Sequence, residues 1–398
     1  MRINLFLCLI LTDKKRNVLF IPAWYPSRLD AMPGLFVRYH AEAVSLFCNV
    51  SVLHLVAESN KIGASIEPVY QDDGLIKTLW VYYYKSENKY LKFTNHLRFV
   101  LASLKGYSLI AQKSGTFDLH HVHVLTRSAF VPLLLKFLAK KPYIITEHWS
   151  RYQDPKNPSY QGVLKKFITK LAVKHAFAVC PVNAALAAAM QNRGLVNKNY
   201  FPVFNVVNLN RFTVREKPFG RNKLLHVSCF DEKAKNVMGL LRSFKDALNS
   251  AHDLSLTLVG TGPDWEACVS YAQKLNLQSK THFTGQLEGD ALVEMFKTYD
   301  VLILSSNYEN QPVVIIEAFA CGTPVISTEV GGIKAMLQDG RGILCEAKND
   351  IALTKSILQF NWEGVSATPE DLRQYALAYF SYEAVGKQYS TLYEQALG

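Results

Sequence analysis

The chain has 398 residues, 49% of them hydrophobic and 19% charged, which excludes a disordered or fibrous protein and leaves material for two folded cores. Its net charge of +11 is uneven: residues 1–200 carry 26 Lys and Arg against 11 Asp and Glu, while residues 201–398 carry 18 against 22. The basic half is expected to face something anionic. Seven scattered cysteines with no C-x-x-C pair exclude a disulfide framework and predict buried free thiols in a reducing cytoplasm.

The first apolar run, Ile3 to Leu11, is too short to span a bilayer. It lacks a small-residue cleavage site and runs into Asp13-Lys14-Lys15-Arg16, so no signal peptide is expected. It is either a membrane-dipping extension or chain ahead of the first domain. Asn17 to Ile21 reads as a buried strand, Pro22 to Ser27 as the loop leaving it, and Gly34 as the start of a helix through Val44. Loops at the carboxyl ends of strands hold ligands in open parallel sheets. Gly34 therefore belongs either to a ligand loop or to a plain helix-start turn. Val50 to Leu55 is a second strand, and the aromatic stretch 65–100 holds further strands and a helix with Lys92, Arg98 and Lys105 along an apolar pattern.

Phe117 to His123 reads as a strand on which His121 and His123 share a face and His120 does not. With no acidic or cysteine ligand nearby, packed or hydrogen-bonded histidines are expected in preference to a zinc site. Pro142 to Trp149 is a strand ending in Glu147-His148-Trp149. In the helix from Gly162 to His175, Leu164, Phe167, Ile168, Leu171 and Ala172 form one face and Lys165, Lys166, Lys170 and Lys174 the other. This predicts a core helix with a solvated lysine face, with an anionic lipid surface as the alternative. Ala176 to Pro181 is a strand and Asn183 to Asn192 a helix ended by Gly194. Tyr200 to Asn205 is expected as the last strand of the first domain, followed by a polar linker at 209–222.

Leu224 to Cys229 opens a second sheet, and the loop Phe230 to Asn236 precedes a helix from Val237 to Leu248. Lysines at this strand exit, Lys233 and Lys235, suit a pyrophosphate. Leu254 to Val259 runs into the tight turn Gly260-Thr261-Gly262-Pro263. His282 to Leu287 is a further strand, and Leu292 to Tyr299 a helix. Val301 to Leu304 is a fully apolar strand. Asn310 is expected at a helix N-cap with Pro312 in the first turn, and the helix stops at Gly322. Glu309 lies in that strand-to-helix turn and Glu317 inside an otherwise apolar helix, leaning back toward the turn. A carboxylate so placed needs partners: sugar hydroxyls beside an anion held by the helix N-terminus, or a structural lysine elsewhere. The strand Pro324 to Ser327 and the Gly331-Gly332 turn complete the unit, and Ser381 caps a terminal helix to Ala396.

Glu309, seven residues, Glu317, then A-F-A-C-G-T-P-V and a Gly-Gly turn resemble the signature of retaining GT-B glycosyltransferases, family four or group 1. W-Y-P-S with G-L-F-V, D-L-H-H-V-H, N-V-V-N with Phe212, K-N at Lys235 and V-G-T-G-P resemble the family's other elements in their usual order. Asn208 stands where the family has aspartate, and the arginine usual ahead of Lys235 is missing, its place taken by Phe230 and Asp231. The resemblance implies an α/β GT-B architecture, two doubly wound domains facing across a cleft, with the C-terminal helix crossing back. The implied acceptor domain is 1–208 plus 376–398, and the donor domain 209–375.

By the same resemblance, His148 alone is assigned the contact with sugar or acceptor. Its neighbours Glu147 and Trp149 are expected, from their place in the sequence, to orient it and to stack on a sugar face. Glu317 would hold the ribose and Glu309 the donor sugar. Lys235, with Lys233 as compensation, would bind the phosphates together with the N–H groups around Asn310, Gln311, Pro312 and Val313. Gly34 and Gly262 would line the donor site, and Leu287 the nucleotide base. The expected activity is transfer from a UDP- or GDP-sugar to a hydroxyl acceptor with retention of configuration. The resemblance implies neither a metal nor a separate cofactor, and consistently the sequence has no D-x-D. It has no Walker-A motif either, and no nucleic-acid partner is expected. The basic first half points to a glycan or lipid-linked acceptor, to a cytoplasmic protein peripheral at an anionic membrane face, and to surface polysaccharide or lipopolysaccharide assembly. The rivals are a nucleotide-sugar epimerase or glycogen-synthase-like enzyme of the same fold, and a degenerate GT-B binding module.

Overall fold

The computed structural model describes residues 15–59, 65–153, 157–214 and 220–398. The apolar run 3–11 lies outside these residues. The first domain is built from β1 (Asn17–Pro22), α1 (Leu35–Ser45), β2 (Asn49–Glu58), β3 (Ile66–Asp72), β4 (Ile76–Tyr84), α2 (Lys92–Ser114), β5 (Leu119–His123), α3 (Phe130–Leu138), β6 (Tyr143–Glu147), α4 (Val163–His175), β7 (Ala178–Pro181) and α5 (Ala184–Asn192). Its sheet has the order β3-β4-β2-β1-β5-β6-β7, parallel except for the β3–β4 pair. The second domain comprises β8 (Lys223–Val227), α6 (Glu232–Lys235), α7 (Val237–Leu248), β9 (Ser255–Val259), α8 (Trp265–Lys274), β10 (Thr281–Gly285), α9 (Gly289–Thr298), β11 (Val301–Leu304), α10 (Val313–Ala320), β12 (Val325–Thr328), α11 (Ile333–Leu337), β13 (Gly342–Cys345), α12 (Asp350–Glu363) and α13 (Pro369–Phe380). Its parallel sheet has the order β10-β9-β8-β11-β12-β13. Two doubly wound α/β domains result, each with apolar strands buried between helical layers.

The chain returns to the first domain as α14 (Tyr382–Leu397). The crossing falls at Ser381, later than the expected residue 376. Leu372, Ala376 and Phe380 of α13 pack in one core with Leu302 and Ile315 of the second domain, whereas Val385, Tyr389 and Tyr393 of α14 pack with Val18 and Phe20 of β1. Ser381 makes the corner, its Oγ accepting from the Ala384 N–H at 3.1 Å, as an N-cap should.

Three local expectations are corrected. Tyr200 to Asn205 is not a regular strand. It follows β7 through a single bridge at Tyr200. The Val203 N–H still donates to the Pro181 carbonyl at 3.0 Å, but Pro181 has no N–H to return and complete the next bridge. The stretch leaving β8 is not all loop: Asp231 accepts from the Ala234 N–H at 3.2 Å and caps the short helix α6. Finally, α4 turns its small residues inward. Thr169, Ala172 and Val173 are buried, while Leu164, Phe167 and Ile168 are exposed. Small side chains allow the helix to approach the sheet closely, and the large apolar ones are left outside. Five of the six described cysteines are buried as expected, and Cys229 is exposed.

Candidate active site

The unit around β11 and α10 lies at the carboxyl edge of the second sheet, facing the first domain. Its first surprise is at Glu309. The carboxylate is held by Lys235 Nζ at 2.5 Å and by Ser306 Oγ at 2.8 Å. The backbone supports this contact: Asn307 N–H donates to the Ala234 carbonyl at 2.7 Å and Ser305 Oγ to the Lys235 carbonyl at 2.8 Å. The exit of β11 is thereby tied to α6. Burial is the largest single influence on Lys235 and lowers its pKa. The charge and hydrogen bond of Glu309, with smaller help from Cys229 and Asp231, together outweigh it and hold the ammonium above its ordinary range. Lys233, two residues earlier on α6, is exposed and cannot share the face of Lys235, since residues i and i+2 of a helix point apart.

Two glycines are fixed by close approach. Gly331 adopts φ +57°, and a Cβ there would lie 1.8 Å from the Glu309 carbonyl oxygen; the Gly332 N–H then donates to the Asn310 carbonyl at 2.9 Å. Gly34 adopts φ +78° as the residue before α1, and its Cβ would lie 2.2 Å from the Trp24 carbonyl oxygen. The Trp24 loop in turn packs on Trp149, ring centroids 5.0 Å apart. Gly34→Ala is expected to cost about 2–4 kcal/mol, from a left-handed backbone and an overpacked contact together. Urea unfolding monitored by tryptophan fluorescence checks it. Gly262 allows the turn after β9 to touch the loop leaving β8, a Cβ there meeting the Cys229 carbonyl oxygen at 1.7 Å. Leu287 packs, partly buried, against the second-domain core that contains Ile315 and Phe319.

Asn310 does not cap the helix. Pro312, at φ −69° and ψ 119°, is the N-cap residue of α10, and the residue before a proline is steered away from helical backbone. The Asn310 amide instead joins the domains, donating to the His148 carbonyl and accepting from Gln153 Nε2 at 2.9 Å. Asn183 Nδ2 donates to the Asn310 carbonyl at 2.8 Å. Gln311 is likewise committed to the first domain. Its side-chain oxygen accepts from the Asn205 N–H at 2.6 Å, and its carbonyl accepts from Asn205 Nδ2 at 3.0 Å. What the turn leaves for an anion is the start of α10 at Val313, where helix N–H groups have no partner within the helix.

His148 is buried and closed off. With Asn205 Nδ2 committed to Gln311, Asn205 Oδ1 must accept, so the Nδ1–H of His148 donates to it at 3.0 Å. Nε2 then accepts from His123 Nδ1 at 3.3 Å. Burial first, and the nearby His40 second, push its pKa well below the usual value. It is a neutral imidazole with both ring nitrogens engaged inside the first domain, while its backbone carbonyl receives the Asn310 amide from the second. Glu147 does not orient this ring. Its carboxylate accepts from the N–H groups of Leu125, His148 and Trp149. His121 and His123 share a face as expected, rings 4.0 Å apart, and His121 bonds Tyr393 OH and Thr146 Oγ1, each at 2.7 Å.

Glu317 is half-buried in α10 and has no hydrogen-bond partner among the described residues. Burial pushes its pKa up to about 7, with Arg211 pulling the other way. Tyr39 of α1 senses the same carboxylate across the cleft: burial raises its phenol pKa, and Glu317 raises it further. Tyr39, Arg211, Asn183, Asn205 and Gln153 were not singled out from sequence as site residues. Only Asn205, at the start of the N-V-V-N element, carried a signal.

Residues 210–378 match the model of the family "Glycosyl transferases group 1". TuaC of Bacillus subtilis (strain 168), named as a glycosyltransferase of teichuronic acid biosynthesis, is 27% identical over 95% of this chain and 97% of its own length. Among solved structures, the sucrose-phosphate synthase of Thermosynechococcus elongatus superposes with a TM-score of 0.72 at 19% identity, over 96% of this chain and 99% of that one. HepE of Anabaena, solved in complex with UDP-glucose, superposes with a TM-score of 0.65 at 15% identity, over 96% and 99%. The chain therefore has a GT-B fold, and its second domain is similar to the group 1 glycosyl transferases.

Proposed function

We propose that this glycosyltransferase moves a sugar from a nucleotide-diphosphate sugar to a hydroxyl acceptor in surface polysaccharide assembly, with retention of configuration. The observation that carries the reading is the unpartnered Glu317 carboxylate on the same strand–helix unit as the Lys235–Glu309 pair and the start of α10. A ribose offers two hydroxyl donors to such a carboxylate. As the bond from sugar to diphosphate breaks, its electron pair goes to the diphosphate. Lys235 and the N–H groups at Val313 would stabilise that charge, and Glu309, released from Lys235, would accept from the sugar hydroxyls. Retention, independence of a metal ion, and the UDP or GDP class of donor follow from the resemblance in the residues. The UDP-glucose complex of HepE favours UDP, and the match to TuaC favours a polysaccharide setting.

Thermal unfolding against UDP, GDP, ADP and CMP tests this. A nucleotide at a hundred times its Kd should add about 3 kcal/mol, with UDP or GDP raising the midpoint. No response to any of the four would overturn the donor assignment.

A further inference from the structure

The outer helical layer of the first domain has an unusual surface. α2, α3 and α4 follow β4, β5 and β6 and cover one face of the sheet, while α1 and α14 cover the other. In sequence, these three outer helices carry nine Lys and Arg and not one Asp or Glu. Soluble surfaces usually intersperse both signs.

Among these cations stand large apolar side chains facing solvent. Tyr90, just ahead of α2, is 95% exposed and Phe93 in its first turn 80%. Leu97 and Leu101 continue from Phe93 at spacings of four, which keeps them on one side of the helix. On α4, Val163 is 88%, Leu164 70% and Phe167 62% exposed, with Lys165 and Lys170 among them. Phe137, at the end of α3, bridges toward α4 with its ring 4.9 Å from that of His175.

Neither property alone names an occupant, but together they do. A face of one charge sign repels a second copy of itself, and a purely polar partner would leave the aromatic side chains in water. An anionic bilayer satisfies both, taking the apolar side chains into its interface and the lysines at its headgroups. The topology supplies an orientation. β4 and β6 end at the carboxyl edge of the sheet, so α2 and α4 begin there and run back. Phe93, Val163 and Leu164 therefore lie at the same edge as Trp24 and Trp149, beside the cleft.

We propose that the outer face of α2 to α4 docks on an anionic lipid surface and that the acceptor is presented to the cleft from that surface, as a lipid-linked hydroxyl. This rests on the glycosyltransferase reading and gives its acceptor a physical state.

Co-sedimentation of the full chain with phosphatidylglycerol vesicles, phosphatidylcholine vesicles and no lipid tests it. Binding is expected to phosphatidylglycerol alone and to weaken steeply with added salt. Phe93→Glu/Phe167→Glu and, separately, Lys165→Glu/Lys170→Glu should each weaken it at least tenfold, with an unchanged melting midpoint and nucleotide response. Equal binding to both lipids, no binding to either, or concentration-dependent self-association through these residues without lipid would each overturn the proposal. Since the nucleotide response is read separately, a protein that keeps it but ignores vesicles loses this inference alone. One that shows neither loses the donor reading as well.

Discussion

Glu317→Gln is expected to make the ligand-free protein more stable above neutral pH while removing most of its response to nucleotide. A carboxyl ordinarily near 4.5 is raised by burial to about 7. The folded state therefore holds this proton more tightly than the unfolded chain. Its stabilising effect is complete below pH 4.5 and is lost as pH rises to about 7. At roughly 1.4 kcal/mol per pH unit, the loss reaches at most about 3.5 kcal/mol. Glutamine has no proton to lose, so variant and wild type should match near pH 4.5 and diverge in the variant's favour by pH 8. The cost of the ionised group is what function asks for, since only the carboxylate accepts from both ribose hydroxyls. In wild type, nucleotide affinity should rise with pH through about 7. Urea unfolding at pH 5 and pH 8, with and without UDP, reads both effects. A variant less stable than wild type at pH 8 would mean that Glu317 has a structural partner and is not waiting for a ligand.

What the sequence disclosed and what it withheld divide along contact distance. The strand, turn and helix from Val301 to Ala320 were legible because a run of apolar residues, a proline and a glycine cap act within a few positions. The placement of Glu309 and Glu317 on one unit followed from that local geometry. The partner of Glu309 did not, because Lys235 lies 74 residues away and nothing local marks which carboxylate a lysine will find. Asn310 illustrates a sharper failure. Asparagine before an apolar run is a good N-cap, yet the proline two residues on shifts the helix start, and the freed amide spans the cleft to His148 and Gln153. Helix α4 failed in a different way. Its apolar stripe was read correctly as a stripe, but periodicity does not say whether a stripe meets the protein's own core. The small residues Thr169, Ala172 and Val173 were the better guide to the buried side.

The two partners of the Lys235–Glu309 pair should behave oppositely toward nucleotide. In the ligand-free protein both side chains are mostly shielded and pair at 2.5 Å. Removing one leaves an unpaired charge, so Lys235→Met and Glu309→Gln should each destabilise the fold by about 3 kcal/mol, the low end for buried pairs. The double variant should lose little more than either single one, with a coupling of about 2 kcal/mol. A diphosphate arriving at this site competes with Glu309 for the same ammonium. Lys235→Met is therefore expected to weaken UDP binding, whereas Glu309→Gln, which leaves the ammonium unclaimed, should tighten it by about tenfold, or 1.4 kcal/mol. Turnover should fall in both, since Glu309 is proposed to hold the transferred sugar. Calorimetric titration with UDP and an assay of sugar transfer separate the two quantities. Equal weakening of UDP in both variants would mean that the pair is scaffold only. A tightening confined to Glu309→Gln would mean that the ligand-free ion pair holds the donor site closed until a diphosphate displaces the carboxylate.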